Sequence, residues 1–323
     1  MVLLLSVGGP RVVAQGDPLT IYSGRSESLV GPIIEQFEAA TGIRVQVRFG
    51  STPELAATLL EEGANSPADI FYAQDPGGLG AVEGLLGAIP QPLLERVGED
   101  FRSPQGRWVG ISGRARTLVY NPNVLSEADL PDDIFDLIEP QWKGRLGWAP
   151  TNASFQAMVT AMRVLWGEQK TTQWLAGIQA NEPKVYPKNT PQVEAVARGE
   201  IDVGMVNHYY LFRFLSTEGD AFPARNYHPR GGGPGALVMV SGAGILNTTK
   251  NRAAAEKFID FMLSQVAQQY FASVTFEYPV IDGVRTDRLL FPLEQINAPN
   301  IALSALADLA GTQALLQEVG VLP

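Results

Sequence analysis

Residue types that often build reactive or metal-binding sites are scarce in this chain. Its 323 residues include no cysteine and only two histidines, His208 and His228. Without thiols the protein has no disulfide framework, thiolate zinc site, iron–sulfur cluster or cysteine nucleophile. Two histidines also exclude a three-histidine zinc site, and no HExxH motif is present. Hard oxygen donors are therefore the metal ligands that remain.

Sequence signatures of nucleotide binding and of hydrolysis are absent as well. The chain contains no GxGxxG, GxxxxGK[ST] or GxSxG motif. The glycine run 231–233 is followed by Pro234, which disfavours a phosphate-binding loop. No acidic pair stands at an interpretable spacing after the predicted strands. These absences argue against an enzyme.

Basic residues are fewer than acidic residues in this chain. The chain has 24 Lys and Arg against 34 Asp and Glu, a net charge of −10. An acidic surface disfavours binding to nucleic acid and to anionic membranes. No apolar run approaches the ~18 residues that a transmembrane helix requires. We therefore expect a protein that is not embedded in a membrane and has no nucleic-acid partner.

The N-terminal 16 residues combine a short apolar run, a Gly-Gly-Pro breaker and small residues. This order resembles the later part of a secretory signal peptide, although a basic segment before the apolar run is missing. We expect residues 1–16 to be the remnant of such a peptide. A poorly ordered N-terminus is the alternative.

Strand and helix patterns alternate along the first part of the chain, which is typical of a mostly parallel sheet with helices on both faces. The alternation breaks near residue 117 and resumes in the apolar run 236–240. Two lobes joined by crossing segments fit this pattern, and 225–234 is predicted to be a loop between them. Single long helices are predicted over 251–272 and 301–318. The predicted N-terminal lobe comprises 17–116 and 236–288, and the C-terminal lobe 117–235 and 289–323.

Seven short segments carry a resemblance to a known family. They occur in the family's order and extend over nearly all of the chain after residue 18. The set is similar to the ferric-ion-binding periplasmic proteins of bacterial ABC transporters. The segments are 22–27 (YSGRSE), 66–72 (SPADIFY), 112–116 (SGRAR), 148–151 (WAPT), 186–189 (YPKN), 207–210 (NHYY) and 277–280 (EYPV).

The resemblance implies an α/β fold of the two-lobed type II periplasmic-binding-protein class, with the ligand cleft between the lobes. It implies a monomeric periplasmic receptor that captures ferric iron by lobe closure. The partner would be an inner-membrane ABC permease with its ATPase. A metal-independent receptor for a small organic or phosphorylated anion in the same fold is the alternative.

Tyr209 and Tyr210 are the iron ligands that the resemblance implies. Ferric iron is a hard Lewis acid that prefers anionic oxygen, and coordination to a trivalent cation favours the phenolate. Neighbours in a strand point to opposite faces, whereas at a strand-to-helix junction both side chains can reach one ion. Ordinary aromatic packing is the alternative reading of this pair.

The sequence departs from the family's pattern at three positions. Ser26, Gln74 and Asn152 stand where relatives have histidine, glutamate or a third tyrosine. Two protein ligands therefore remain, and we expect an exogenous oxyanion, carbonate or bicarbonate or else phosphate, to supply further donors together with water.

Arginines and a helix start are the expected holders of that anion, because guanidinium groups bind oxyanions bidentately and helix N-termini offer free N–H groups. Each position has a structural alternative: a solvated charge for Arg25, a lobe-bridging role for Arg116, helix caps at Asn152, Ser154 and Asp75, and a structural ring for His208. The candidates for the anion site and its surroundings are Tyr22, Arg25, Ser26, Gln74, Arg114, Asn152, Ala153, Ser154, Asn189 and Asn207.

Overall fold

The computed structural model describes residues 17–323, so the predicted signal-peptide remnant 1–16 lies outside the described residues. Strands and helices alternate as expected from residue 19 to residue 73. The strands are β1 (Leu19–Ser23), β2 (Val45–Phe49), β3 (Ile70–Ala73), β4 (Trp108–Tyr120), β5 (Leu146–Trp148), β6 (Lys184–Val185), β7 (Val203–Asn207), β8 (Arg225–Tyr227) and β9 (Val238–Ile245).

Helices connect or follow these strands along the chain. They are α1 (Glu27–Thr41), α2 (Thr52–Glu62), α3 (Pro76–Ala81), α4 (Gln91–Leu94), α5 (Ala153–Trp166), α6 (Glu168–Ala180), α7 (Asn189–Ala197), α8 (Tyr209–Glu218), α9 (Arg252–Met262), α10 (Gln265–Ser273) and α11 (Leu309–Glu318).

Two segments predicted to be single long helices are each interrupted in the structure. The segment 251–272 is two helices, because α9 ends at Met262 and the Ser264 hydroxyl starts α10 by accepting a hydrogen bond from the Ala267 N–H. The segment 301–318 is a short 3₁₀ helix followed by α11, whose first turn is capped by the Asp308 carboxylate through Gly311 N. The predicted loop 225–234 contains the three-residue strand β8.

A single strand, β4, connects the two halves of the sheet. The strand order is β2-β1-β3-β9-β4-β7-β5-β6, and β8 pairs with β4 beside this path. From Trp108 to Ala115, β4 pairs antiparallel with β9, and from Arg116 to Tyr120 it pairs antiparallel with β7. We call the half built on β1, β2, β3 and β9 the N-terminal lobe and the half built on β5 to β8 the C-terminal lobe.

Each lobe buries apolar side chains of its own. In the C-terminal lobe Trp142, Phe155 and Trp174 pack with the tail residue Leu316. A larger cluster is centred on β1, β3 and β9 and extends across β4 into α7 and α8. The change of partner along β4 falls beside the predicted break at residue 117, while the full lobe boundaries stay a prediction. Within residues 17–323 no helix is both long and apolar enough to cross a membrane.

Candidate metal centre

A polar cleft of about 530 Å³ lies between the lobes. The N-terminal lobe contributes the loop after β1, the start of α2 and Gln74, which follows β3 directly. The C-terminal lobe contributes the start of α5, the loop before α7 and the start of α8. This placement at strand ends follows the general rule for ligand sites in α/β sheets.

Tyr209 and Tyr210 are the first two residues of α8, and only His208 lies between this helix and β7. Their rings stack with centroids 4.3 Å apart and planes inclined by 30°. Tyr209 is fully buried, whereas Tyr210 is 7% exposed and lines the cleft. Burial raises the pKa of Tyr210, and the adjacent phenol of Tyr209 raises the pKa of Tyr210 further. The strand-to-helix junction thus brings the two tyrosine rings together, and their role as iron ligands stays a prediction.

Arg25 connects the lobes at the tyrosine pair. Its Nη1 donates to the Tyr209 hydroxyl at 3.3 Å, and its Nη2 pairs with the Glu277 carboxylate. Burial opposes the charge of this guanidinium, but Glu277 and the neighbouring phenols of Tyr209, Tyr72 and Tyr210 together outweigh burial, so the pKa of Arg25 is raised above its ordinary value. Arg25 is 2% exposed, so the alternative of a solvated loop charge is wrong.

Arg114 and Arg116 project from the same face of β4, where the strand passes from one lobe to the other. The Nη2 of Arg114 lies 3.5 Å from the Glu277 carboxylate, and its guanidinium carbon lies 5.9 Å from the Tyr209 ring centroid. The Nη1 of Arg116 donates to the Asn207 side-chain oxygen at 3.1 Å. Burial lowers the pKa of Arg116 to about 9.

The three buried arginines, Arg25, Arg114 and Arg116, carry donors that nothing in residues 17–323 satisfies. The buried nitrogens without a hydrogen-bond partner are Arg25 Nε, Arg114 Nε and Nη1, and Arg116 Nε and Nη2. Leaving such groups unpaired in the interior is costly, above all when they are charged. This donor set fits a small oxyanion.

Ser154, near the start of α5, is the centre of a polar network on the C-terminal side of the cleft. Its hydroxyl accepts from Gln74 Nε2 at 2.8 Å and from Asn207 Nδ2 at 3.0 Å. Its N–H is capped by Asn152, whose side-chain oxygen also accepts from Asn189 Nδ2 at 3.3 Å. Because Gln74 belongs to the N-terminal lobe, its bond to Ser154 spans the cleft. Ala153 lines the cleft beside this network.

Tyr22 does not join the site. Its hydroxyl donates to Glu62 at 2.9 Å and accepts from Arg48 at 3.3 Å, on the side of β1 that faces α2. Ser26 lies at the cleft but only precedes α1, where its side chain makes no capping bond.

His208 and Asp75 have the structural roles considered for them. His208 Nδ1 accepts from the Ala115 N–H, and Nε2 donates to the Phe276 carbonyl at 2.8 Å. Burial, and then the neighbouring His228, lowers the pKa of His208 to about 3, so the ring is neutral. Asp75 caps α3 through Gly78 N.

Glu277 is the residue that sequence reasoning missed. The segment 277–280 contributed to the resemblance, but no role was assigned to its glutamate. The side chain is fully buried and pairs with Arg25, 252 positions away. Glu54 and Arg213 also line the cleft, and neither was a candidate from the sequence. Within residues 17–323 no cluster of three or more histidine, aspartate or glutamate side chains could hold a metal ion.

Comparisons with known proteins identify the family and the fold. A family model described as "Bacterial extracellular solute-binding protein" matches residues 65–299. The chain belongs to this family. It is 33% identical over 318 residues to the Fe(3+)-binding periplasmic protein of Serratia marcescens, covering 97% of this chain and 94% of that one.

Two solved structures have the same fold. Iron-bound HitA from Pseudomonas aeruginosa matches with a TM-score of 0.90 and 34% identity, over 94% of this chain and 99% of that one. The Trichodesmium protein FutA, in complex with iron and citrate, matches with a TM-score of 0.79 and 30% identity, over 94% and 99%. The predicted type II periplasmic-binding-protein fold is confirmed, and the family is one of solute-binding proteins, not enzymes.

Proposed function

We propose that this protein is an extracytoplasmic receptor for ferric iron, which it binds as transported solute through Tyr209 and Tyr210 together with a small oxyanion. The observation that supports this most is the stacked tyrosine pair set against three buried arginines with five unpartnered nitrogens. Phenolates are hard anionic donors suited to a trivalent cation. The guanidinium groups are suited to the anion.

The charges of the buried groups support an iron–anion pair. Arg25, Arg114 and Arg116 carry three positive charges against one negative charge on Glu277. Two phenolates would neutralise the remainder. Ferric iron then brings three further positive charges, which a polyvalent oxyanion offsets in part or in full. Carbonate, phosphate and citrate all meet this requirement, and citrate accompanies iron in the Trichodesmium relative.

Lobe closure is the proposed means of capture. Arg25 to Tyr209 and Gln74 to Ser154 are hydrogen bonds between the lobes, so a ligand held by these residues ties both lobes together. The closed form is the form that an inner-membrane ABC permease with its ATPase would recognise. The match to bacterial extracellular solute-binding proteins and to a periplasmic Fe(3+)-binding relative supports a periplasmic carrier, and we expect this carrier to be a monomer.

Iron analysis and a visible spectrum of the purified protein test the proposal. We expect one ferric ion per chain and a red or salmon colour from phenolate-to-iron charge transfer when ferric nitrilotriacetate is added with bicarbonate. A protein that stays colourless and takes up no iron under these conditions would contradict the proposal.

A metal-independent anion receptor is the second candidate, because the same unpartnered guanidinium nitrogens can bind an anion alone. Thermal denaturation with phosphate, citrate and sugar phosphates in the presence of a chelator separates the two. A rise of several degrees without metal favours the second candidate. Stabilisation only when ferric iron is present favours the first.

Replacing Gln74 by alanine is expected to weaken ferric binding about fivefold, because the closed form loses the bond to Ser154, worth about 1 kcal/mol. Competition with nitrilotriacetate measures the affinity. The control is Gln91→Ala, since Gln91 bonds only Glu95 on an exposed face. Equal losses in both variants would argue against a contact that favours closure.

A further inference from the structure

Glu277 is bound by four side-chain donors at the centre of the arginine cluster. Its Oε1 accepts from Arg25 Nη2 and from the Thr275 hydroxyl at 3.0 Å. Its Oε2 accepts from the Ser112 hydroxyl at 2.6 Å and from Arg114 Nη2 at 3.5 Å. With both oxygens occupied, the carboxylate orients Arg25 and Arg114 and is not itself a ligand.

The backbone holds Glu277 in this place at some cost. Phe276, the preceding residue, has a φ of 56°, a left-handed conformation that non-glycine residues seldom adopt. The carbonyl of Phe276 accepts from His208, beside the tyrosine pair, and Tyr278 exchanges backbone hydrogen bonds with Gly113 on β4. A strained conformation kept by surrounding contacts is typical of functional positions.

We propose that Glu277 is a positioning and specificity-determining residue that makes anion capture depend on iron. It cancels one of the three buried guanidinium charges and holds Arg25 and Arg114 beside Tyr209. The cluster then binds an oxyanion weakly alone and tightly when ferric iron adds its charge. This inference rests on the proposed function and names what separates an iron receptor from an anion receptor in this fold.

The charge of Glu277 acts in opposite directions on the two ligands. A buried negative charge repels an oxyanion and attracts a cation, and in a site sheltered from water both effects are strong. Removing that charge therefore strengthens metal-free anion binding and weakens iron binding. A merely structural role predicts that both decline together.

The test is Glu277→Gln, which keeps the size of the side chain and removes its charge. Calorimetric titration with inorganic phosphate under chelator is expected to show binding about tenfold tighter than in the wild type, and competition with nitrilotriacetate about tenfold weaker ferric binding. The control is Asp202→Asn, which removes a carboxylate from Arg145 at the far end of β7 and is expected to change neither affinity. Unchanged or weaker phosphate binding in Glu277→Gln would overturn the inference.

A second pair of variants tests the inference if Glu277→Gln does not fold. Removing Glu277 and Arg114 together takes away one buried anion and one buried cation, so the cluster keeps the net charge that it has in the wild type. The double variant Glu277→Gln/Arg114→Gln is expected to bind metal-free phosphate about tenfold more tightly than Arg114→Gln. Equal affinities would contradict the inference, whereas failure of the wild type to bind iron would contradict the proposed function instead.

Discussion

Replacing Tyr210 by phenylalanine is expected to abolish the visible charge-transfer band or shift it strongly, and to weaken ferric binding at least about 1,000-fold. The affinity falls because an anionic oxygen donor is lost from a hard trivalent cation, and water is a much poorer replacement. The same change at Tyr209 also removes the oxygen that accepts from Arg25. The double variant Tyr209→Phe/Tyr210→Phe is expected to bind no measurable iron. Visible spectroscopy and competition with nitrilotriacetate measure both effects.

The matched control is Tyr22→Phe. This variant also loses one phenol, but the Tyr22 hydroxyl is engaged by Glu62 and Arg48 away from the cleft. We expect its colour and iron affinity to equal those of the wild type. If Tyr22→Phe lost the colour while Tyr210→Phe kept it, the assignment of the ligands would be wrong.

Replacing Arg116 by glutamine is expected to stabilise the ligand-free protein while weakening anion-dependent iron binding. Among the described residues no carboxylate pairs with Arg116, and two of its nitrogens are buried without partners. Removing this charge relieves an unfavourable burial, and glutamine can still donate to Asn207. We expect a gain of about 1–2 kcal/mol in unfolding free energy. The affinity for iron with bicarbonate should fall about 10- to 100-fold as a charge-assisted bond is lost.

Chemical denaturation without ligand and ferric titration with bicarbonate measure the two effects of Arg116→Gln. The comparison variant is Arg145→Gln, whose guanidinium pairs with Asp202 on a partly exposed surface. It is expected to leave iron binding unchanged and to reduce stability slightly, by less than about 1 kcal/mol. A destabilised Arg116→Gln with unchanged iron affinity would show that Arg116 is a structural bridge between the lobes.

Local sequence signals predicted the elements that position the site. Asn207, Tyr209 and Tyr210 stand at a strand-to-helix junction that is visible in the sequence, and Asn152 precedes an amphipathic helix. Helix N-caps that lie within a run of helically spaced apolar residues are not evident from the sequence. Ser264 and Asp308 each begin a new helix within a segment predicted to be one continuous helix, because their flanking apolar residues keep a helical spacing across the break.

Long-range charge pairing could not be predicted from one sequence. Glu277 and Arg25 are 252 positions apart, and their ion pair depends on how β4 and β9 bring the segment after α10 against β1. The predicted place of Tyr22 at the anion site is wrong for a related reason. It lies in a strand that ends at the cleft, but the alternation of side chains along β1 directs its hydroxyl to Glu62.

Crystals of the protein loaded with ferric iron and bicarbonate, measured at the iron absorption edge, test the central claim most directly. We predict one anomalous peak within bonding distance of both the Tyr209 and Tyr210 hydroxyl oxygens. Density for a small oxyanion should lie between that peak and the guanidinium groups of Arg114 and Arg116. An iron peak bound by other side chains, or an anion on the arginines with no metal at the tyrosines, would contradict the account.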